Sequence, residues 1–227
     1  MSRKKSTTSE ESVQEENERY ILAMAAANDG LWDWNLRTGK IFFSTRWKQM
    51  LGYEESEIRD IPDEWFNRVH EDDIDRLKTM LDAYLNNDTA SFAVEYRAKH
   101  FNDGYRWMLI RGLAVRDSDG TAYRIAGSQT DITEKKLSDA KSIHDALHDT
   151  LTGLPNRTLF LDRIRQILKK RERNQKLQYA VIYIDLDRFR LVNESLGHVH
   201  GDELIIQTGH RLRDCVQPGD TVARLGG

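Results

Sequence analysis

The sequence predicts an α+β protein. It reads as a five-stranded antiparallel sheet with helices over one face, a connector helix, and then a partial α/β unit. Three observations carry this. Residues 30–132 read as strand, strand, helices, strand, strand, strand, the order of an antiparallel sheet layered with helices. From Thr133 the pattern turns helical. Tyr179 to Ile184 is then a continuous apolar run, the pattern of a strand covered on both faces.

Each element has its own signal. Ser6 to Asn28 reads as a polar leader running into a helix, with Tyr20, Ile21, Met24 and Ala25 on one side and Gly30 as its stop. The period then changes to two: Trp32, Trp34 and Leu36 share a face, and Asp33 and Asn35 share the other. Thr38-Gly39 predicts a turn and Lys40 to Ser44 a second strand, which together make a hairpin. Short helices are expected through Trp47, Met50 and Leu51 and around Ile58. Glu71-Asp72-Asp73 opens a longer helix, its carboxylates at the positive end of the dipole. Ile74, Leu77, Leu81, Tyr84 and Leu85 give that helix one apolar stripe.

Three more strands follow. Phe92, Val94, Tyr96 and Ala98 alternate, as do Tyr105, Trp107, Leu109, Leu113 and Val115. Asp117 to Gly120 is a turn, and Thr121 to Ile132 is the fifth strand. Leu137, Ala140, His144, Leu147 and Leu151 then recur at spacings of three and four. Two readings of this helix are open, a short coiled-coil seam or a solvent-exposed connector. Asn156 caps a helix through Lys170, with Phe160, Ile164, Ile167 and Leu168 as its buried side. Gly201 to Val216 is helical with Ile205, Leu212 and Val216 inward, and Thr221 to Leu225 begins another strand.

Composition excludes several classes. The 227 residues suit one large domain or two small ones at about 100–200 residues each. Hydrophobic residues make up 39%, enough for a core. No apolar run approaches the ~20 residues of a spanning helix. Met1 to Tyr20 lacks the apolar segment of a signal peptide. Cys215 is the single cysteine, which removes internal disulfides and cysteine-rich zinc sites and fits a cytoplasmic protein. A net charge of −3 speaks against general nucleic-acid binding. The charge is uneven: residues 1–139 carry 20 basic and 26 acidic groups, residues 140–227 carry 14 and 11. The second part better tolerates an anionic ligand.

The chemical signal is Ile184-Asp185-Leu186-Asp187, directly after the apolar run. Carboxylates at i and i+2 of an extended chain point the same way, and hard oxygens suit magnesium. The alternative is that Asp187 caps the next turn and Asp185 is simply exposed. The wider stretch, Asp185 to His198 followed by Gly201-Asp202-Glu203, resembles the GGDEF family of diguanylate cyclases. So do Asp149-Thr150-Leu151-Thr152-Gly153-Leu154-Pro155-Asn156-Arg157 and Ala223-Arg224-Leu225-Gly226-Gly227.

That resemblance implies a cyclase that condenses two GTP into cyclic di-GMP, the 3′-hydroxyl of one attacking the α-phosphate of the other. By motif position Asp185 and the Leu186 carbonyl would hold Mg2+. Arg190, where the family usually has Lys, would contact phosphate as the catalytic cation. Asn193 and Asp202 would read the guanine edge, with His198 also at the substrate. The acidic pair and Phe that complete the family signature do not follow Gly227 in this sequence. Residues 151–227 are therefore expected to be the N-terminal half of a GGDEF domain, inactive by itself. Many GGDEF cyclases also have an inhibitory product site, Arg-x-x-Asp, six positions before the first signature glycine. Here that place reads Gln217-Pro218-Gly219-Asp220, without the Arg.

The first part resembles a PAS sensor domain through Gly30 to Gly39, Met50-Leu51-Gly52-Tyr53, Val69-His70-Glu71-Asp72-Asp73 and Gly127 to Thr133. The expected organisation is a polar leader 1–16, a PAS domain 17–136, a signalling connector 137–150 and the GGDEF half 151–227. PAS domains commonly dimerise, which implies a homodimer through the PAS domain and connector helix. Trp32, Trp34, Phe42, Trp47 and Trp107 either line a PAS ligand pocket or fill the core. The PAS ligand is not readable. Heme is not expected, because His70 and His100 are poorly placed for it. A LOV-type flavin is not expected, because Cys215 lies in the other half. The leading reading is a cytoplasmic cyclic di-GMP signalling protein with GTP as substrate and no membrane segment in this chain. The alternatives are a PAS module on a degenerate GGDEF domain, or a hybrid with a downstream EAL phosphodiesterase.

Overall fold

A computed structural model describes residue 26 and residues 28–226; the predicted leader and nearly all of the helix before Gly30 lie outside them. The chain divides into two units, Met1–Lys136 and Leu137–Gly227.

The first unit is the predicted sheet. Strands β1 (Gly30–Asn35), β2 (Ile41–Phe43), β3 (Phe92–Lys99), β4 (Tyr105–Arg116) and β5 (Ala122–Asp131) pair antiparallel in the order β2-β1-β5-β4-β3. Helices α1 (Thr45–Met50), α2 (Pro62–Phe66) and α3 (Glu71–Leu85) lie between β2 and β3 in the chain. The β1–β2 turn closes on Asn35, whose side-chain oxygen accepts from Arg37 N and Thr38 N at 3.0 and 3.1 Å, a local bond that competes with strand continuation.

The core lies between sheet and helices. Trp32, Phe43, Trp47, Trp65, Leu77, Tyr96, Met108, Ile110 and Ile125 are buried there. Gly112 matters because a Cβ there would sit 2.8 Å from the Trp32 ring; the indole occupies that space. The stripe expected on α3 forms, with Leu77, Leu81 and Tyr84 buried. Arg116 closes the helix end, donating to Tyr84 O at 2.6 Å and Leu85 O at 2.8 Å, which satisfies carbonyls without intrahelical partners.

One strand faces opposite to the expectation. Met108 and Ile110 of β4 are buried, whereas Leu113 and Val115 are exposed. Both rows of this strand are apolar, so period two alone cannot select the inner one; the packing of α3 and the Trp32 ring selects the row containing Gly112.

Helix α4 (Thr133–Leu147) starts where β5 ends. Thr133 N donates to Asp131 Oδ1 at 2.8 Å, and Thr133 Oγ1 accepts from Trp107 N at 2.9 Å. Its first turn is thereby fixed to β4 and β5.

The second unit holds the rest of α4, α5 (Arg157–Arg173), α6 (Phe189–Leu196) and α7 (His198–Asp214). Asn156 caps α5 as expected, accepting from Thr158 N and Leu159 N at 2.9 and 3.2 Å. The expected α/β layering does not form among the described residues. Tyr179 to Ile184 and Thr221 to Leu225 form no strand, and Ile182 and Tyr183 are 80% and 79% exposed. A strand exists through its ladder partners, and the described residues supply none. For the same reason Phe160, Ile164 and Ile167 are half-buried rather than buried, and Leu168 and Val216 are exposed.

Candidate functional site

The second unit is organised around the turn after α4. Asp149 accepts from Thr152 N at 2.9 Å and Thr152 Oγ1 at 2.6 Å. Arg224, 75 residues on, donates to both Asp149 carboxylate oxygens at 3.0 and 3.1 Å, and its backbone N donates to Pro155 O at 2.9 Å. Burial alone would raise the Asp149 pKa; the Thr152 hydrogen bonds and the Arg224 charge outweigh it and hold the carboxyl below its ordinary value. Leu154, in the same turn, is buried, and a Cβ on Gly209 of α7 would meet its Cδ1 at 3.0 Å. This turn therefore anchors α4, α7 and the segment before Gly226.

The expected site residues lie on α6, α7 and the segment before them. Asp185 is exposed, and Leu186 is half-buried with its carbonyl accepting from Phe189 N at 3.2 Å. Arg188 adopts φ +57° as the N-cap of α6. Arg190 is exposed and paired with Glu194 at 2.7 Å. Among the described residues no group of three or more His, Cys, Asp or Glu is arranged to hold a metal ion. The exposed Asp185 carboxylate and the adjacent Leu186 carbonyl, which has a second lone pair beyond its bond to Phe189 N, are hard oxygen donors of the kind that suits magnesium, which keeps waters and substrate phosphates as its other ligands.

Asn193 is the most informative residue. Its Oδ1 is buried and has no hydrogen-bond partner. Gly201 of α7 is buried beside it, and a Cβ there would lie 1.9 Å from that oxygen. The structure thus brings Asn193 together with the first turns of α7, where His198 and Asp202 are exposed. An unpaired buried acceptor costs about 1–3 kcal/mol, a cost a ligand N–H would offset. Sequence reasoning missed Gly201 as a contributor; its position one residue before Asp202 was the available signal. It also quoted Asp149 and Arg224 without pairing them.

The Gln217 to Asp220 segment is a closed turn. Asp220 Oδ2 accepts from Gln217 N at 3.1 Å, and Asp220 N donates to Gln217 O at 3.0 Å.

The five aromatic residues considered for a ligand pocket, Trp32, Trp34, Phe42, Trp47 and Trp107, have different surroundings. Trp32 and Trp47 are core residues, Trp32 5.5 Å from Trp65 and Trp47 stacked on Phe43 at 4.1 Å. Trp34 packs on Phe66 at 6.0 Å. Phe42 is 53% exposed, and Trp107 lies under the Arg97 and Lys136 cations at 5.6 and 5.2 Å. His70 caps α3 through Nδ1, and His100 bonds Asn102.

Comparison with known proteins gives each unit a family. Residues 40–129 match the PAS fold, and residues 146–227 match the diguanylate cyclase GGDEF domain. The chain carries a PAS domain followed by a GGDEF domain. An uncharacterized Sinorhizobium fredii protein, y4lL, is 31% identical over 171 residues, which are 72% of this chain and 20% of that protein. A bifunctional diguanylate cyclase/cyclic di-GMP phosphodiesterase of Pseudomonas aeruginosa is 48% identical over 95 residues, 42% of this chain and 14% of that protein. The diguanylate cyclase TpbB of the same species is 36% identical over 118 residues, 51% of this chain and 27% of that protein. The PAS–GGDEF chain thus spans between 14% and 27% of the length of these relatives. No helix among its described residues is long and apolar enough to cross a membrane.

Proposed function

We propose that this chain belongs to a cytoplasmic cyclic di-GMP signalling protein in which the GGDEF unit binds GTP for cyclisation and the PAS unit regulates it. The observation that carries this reading is the buried, unpartnered Asn193 oxygen beside Gly201. Such an acceptor suits a guanine N–H donor, and the exposed Asp202 carboxylate offers a second acceptor to the same edge. Adenine offers one donor group, N6–H2, beside the N1 acceptor, and would not satisfy both oxygens as the N1–H and N2–H2 of guanine do.

In this reading the chain's residues have distinct tasks. Asn193 and Asp202 select the base, and His198 lines the same substrate site. Arg190 leaves Glu194 to meet the phosphates; as a guanidinium it keeps the charge of the usual Lys with a different shape. Asp185 and the Leu186 carbonyl would hold Mg2+, which when bound supplies neutralising charge to the phosphates. Two such units, each with one GTP, react so that each 3′-hydroxyl displaces pyrophosphate from the other α-phosphate. The homodimer this needs is assigned to the PAS domain and α4, whose Leu137 and Ala140 are exposed. The bifunctional relative in P. aeruginosa favours one second reading, a hybrid in which a phosphodiesterase accompanies the cyclase.

Titrating the chain with a non-hydrolysable GTP analogue and with its ATP counterpart, in magnesium, tests base selection. GTP is expected to bind at least tenfold tighter, with Asn193→Ala and Asp202→Ala each erasing most of the difference. Equal affinity for both nucleotides in the unmodified chain would overturn the reading.

A further inference from the structure

The connector helix carries a feature that cyclic di-GMP chemistry does not use. His144 and His148 stand four residues apart on α4 and just beyond its end, with ring centroids 4.1 Å apart and an interplanar angle of 8°. Residues at this spacing share a helix face. We propose that His144 and His148 form a chelating site for a borderline divalent transition metal, of the Zn2+ class, on the connector helix.

One hydrogen bond prepares the His148 ring for this. His148 Nδ1 lies 3.0 Å from His144 O. A carbonyl only accepts, so Nδ1 carries the proton and Nε2 keeps a free lone pair when the ring is neutral. His144 Nδ1 lies 3.7 Å from the Asp145 carboxylate, beyond hydrogen-bond distance. Metal-bound imidazoles characteristically donate their second nitrogen to a carbonyl or carboxylate, which fixes the tautomer and raises ligand basicity. Here the His148 ring has such a carbonyl partner. Stacked rings do not aim both Nε2 lone pairs at one point, but χ2 of His is a soft torsion, and a modest tilt of each ring converges them. Imidazole nitrogen selects Zn2+, Ni2+ or Cu2+ over Mg2+ or Ca2+, so the site does not compete for the magnesium of the nucleotide. His144 is exposed, which leaves room for waters to complete the coordination sphere.

The place gives the site a consequence. His148 directly precedes Asp149, the carboxylate that holds Arg224. A metal bridging residues 144 and 148 staples the last turn of α4 to the start of that anchored turn. Binding then stiffens the junction between connector and GGDEF unit.

Calorimetric titration of the full chain with ZnCl2 at neutral pH tests the assignment, with hydrogen exchange over residues 137–149 as a second readout. The expected result is one ion per chain and increased protection of 137–149 on binding. His144→Gln and His148→Gln should each weaken binding at least tenfold and remove the gain in protection. His200→Gln, outside the pair, should leave both unchanged. Zinc binding of undiminished affinity in the His144→Gln/His148→Gln double variant would overturn the proposal, and so would the absence of zinc binding by the unmodified chain.

Discussion

Arg224 holds both carboxylate oxygens of Asp149 with a single guanidinium nitrogen, at 3.0 and 3.1 Å. Both side chains are about four-fifths removed from solvent. The pair ties the turn that follows α4 to the segment leading into Gly226. Breaking it by Arg224→Ala leaves a half-buried carboxylate whose remaining partner is Thr152, a loss of about 1–3 kcal/mol. All five tryptophans lie in the PAS unit, so tryptophan fluorescence reports that unit alone. Arg224→Ala should leave the fluorescence-detected transition in place and increase hydrogen exchange at residues 149–156. A shift of the tryptophan transition with unchanged exchange there would contradict this.

Asp149 also sets a pH response. Its pKa is held below the ordinary value in the folded unit, so its contribution is present above the unfolded-state pKa of about 3.9 and is lost as pH falls through the lower folded value. Exchange protection of the 149–156 turn should therefore be flat from neutral pH to about pH 5 and fall in the acid range. In Asp149→Asn that acid step should be absent.

The PAS unit has its own charge anchor. Arg97 donates from Nε to Asp73 Oδ2 at 2.8 Å and from Nη2 to Oδ1 at 3.1 Å, and its backbone N adds a third bond at 2.9 Å. These bonds to Arg97 keep the nearly buried Asp73 carboxyl below its ordinary pKa against the cost of desolvation. They join the first turn of α3 to β3. Asp73→Ala should cost about 3 kcal/mol, the range for removing one partner of a buried pair. The readout is the tryptophan-detected urea midpoint, and an unchanged midpoint would show that the pair does not secure α3.

Gly201 separates recognition from folding. Gly201→Ala places a methyl group where the Asn193 amide now sits, yet alanine favours a helix interior by up to about 1 kcal/mol over glycine. Helicity by circular dichroism should be kept while GTP affinity falls at least tenfold. Normal GTP binding by this variant would remove Asn193 from the base site.

Asp220 is committed to its own turn through Gln217, and no arginine stands three positions before it. In the protein that carries this chain, cyclic di-GMP should inhibit the unmodified enzyme and Asp220→Ala to the same extent. Inhibition that disappears with Asp220→Ala would show a working product site there.

The sheet was legible because Trp32, Phe92, Val94, Tyr96 and Ala98 alternate against polar neighbours, and those residues are buried as read. Strand β4 was legible as a strand but not in its facing, because Met108 and Ile110 compete with Leu109 and Leu113 for the core. Tyr179 to Ile184 carried a strong local signal that its surroundings do not answer; a ladder is a property of two segments, and one segment's sequence describes half of it. In the candidate site, Asp185, Asn193 and Asp202 were legible as candidates from motif position, their roles being proposals. The role of Gly201 was not, because it consists of an absent side chain whose value appears only when α6 and α7 pack. The Asp149–Arg224 pair was illegible for the same reason, 75 residues separating its members.

The central claim is that the GGDEF unit serves the conversion of GTP to cyclic di-GMP with Asp185 at the magnesium. The most direct measurement is mass-spectrometric detection of cyclic di-GMP formed from GTP and Mg2+ by the protein that carries this chain, beside its Asp185→Asn variant. The account predicts product from the first and a fall of several orders of magnitude in the second, with GTP binding through Asn193 and Asp202 kept in part. No product from the unmodified protein, or undiminished product from Asp185→Asn, would contradict it.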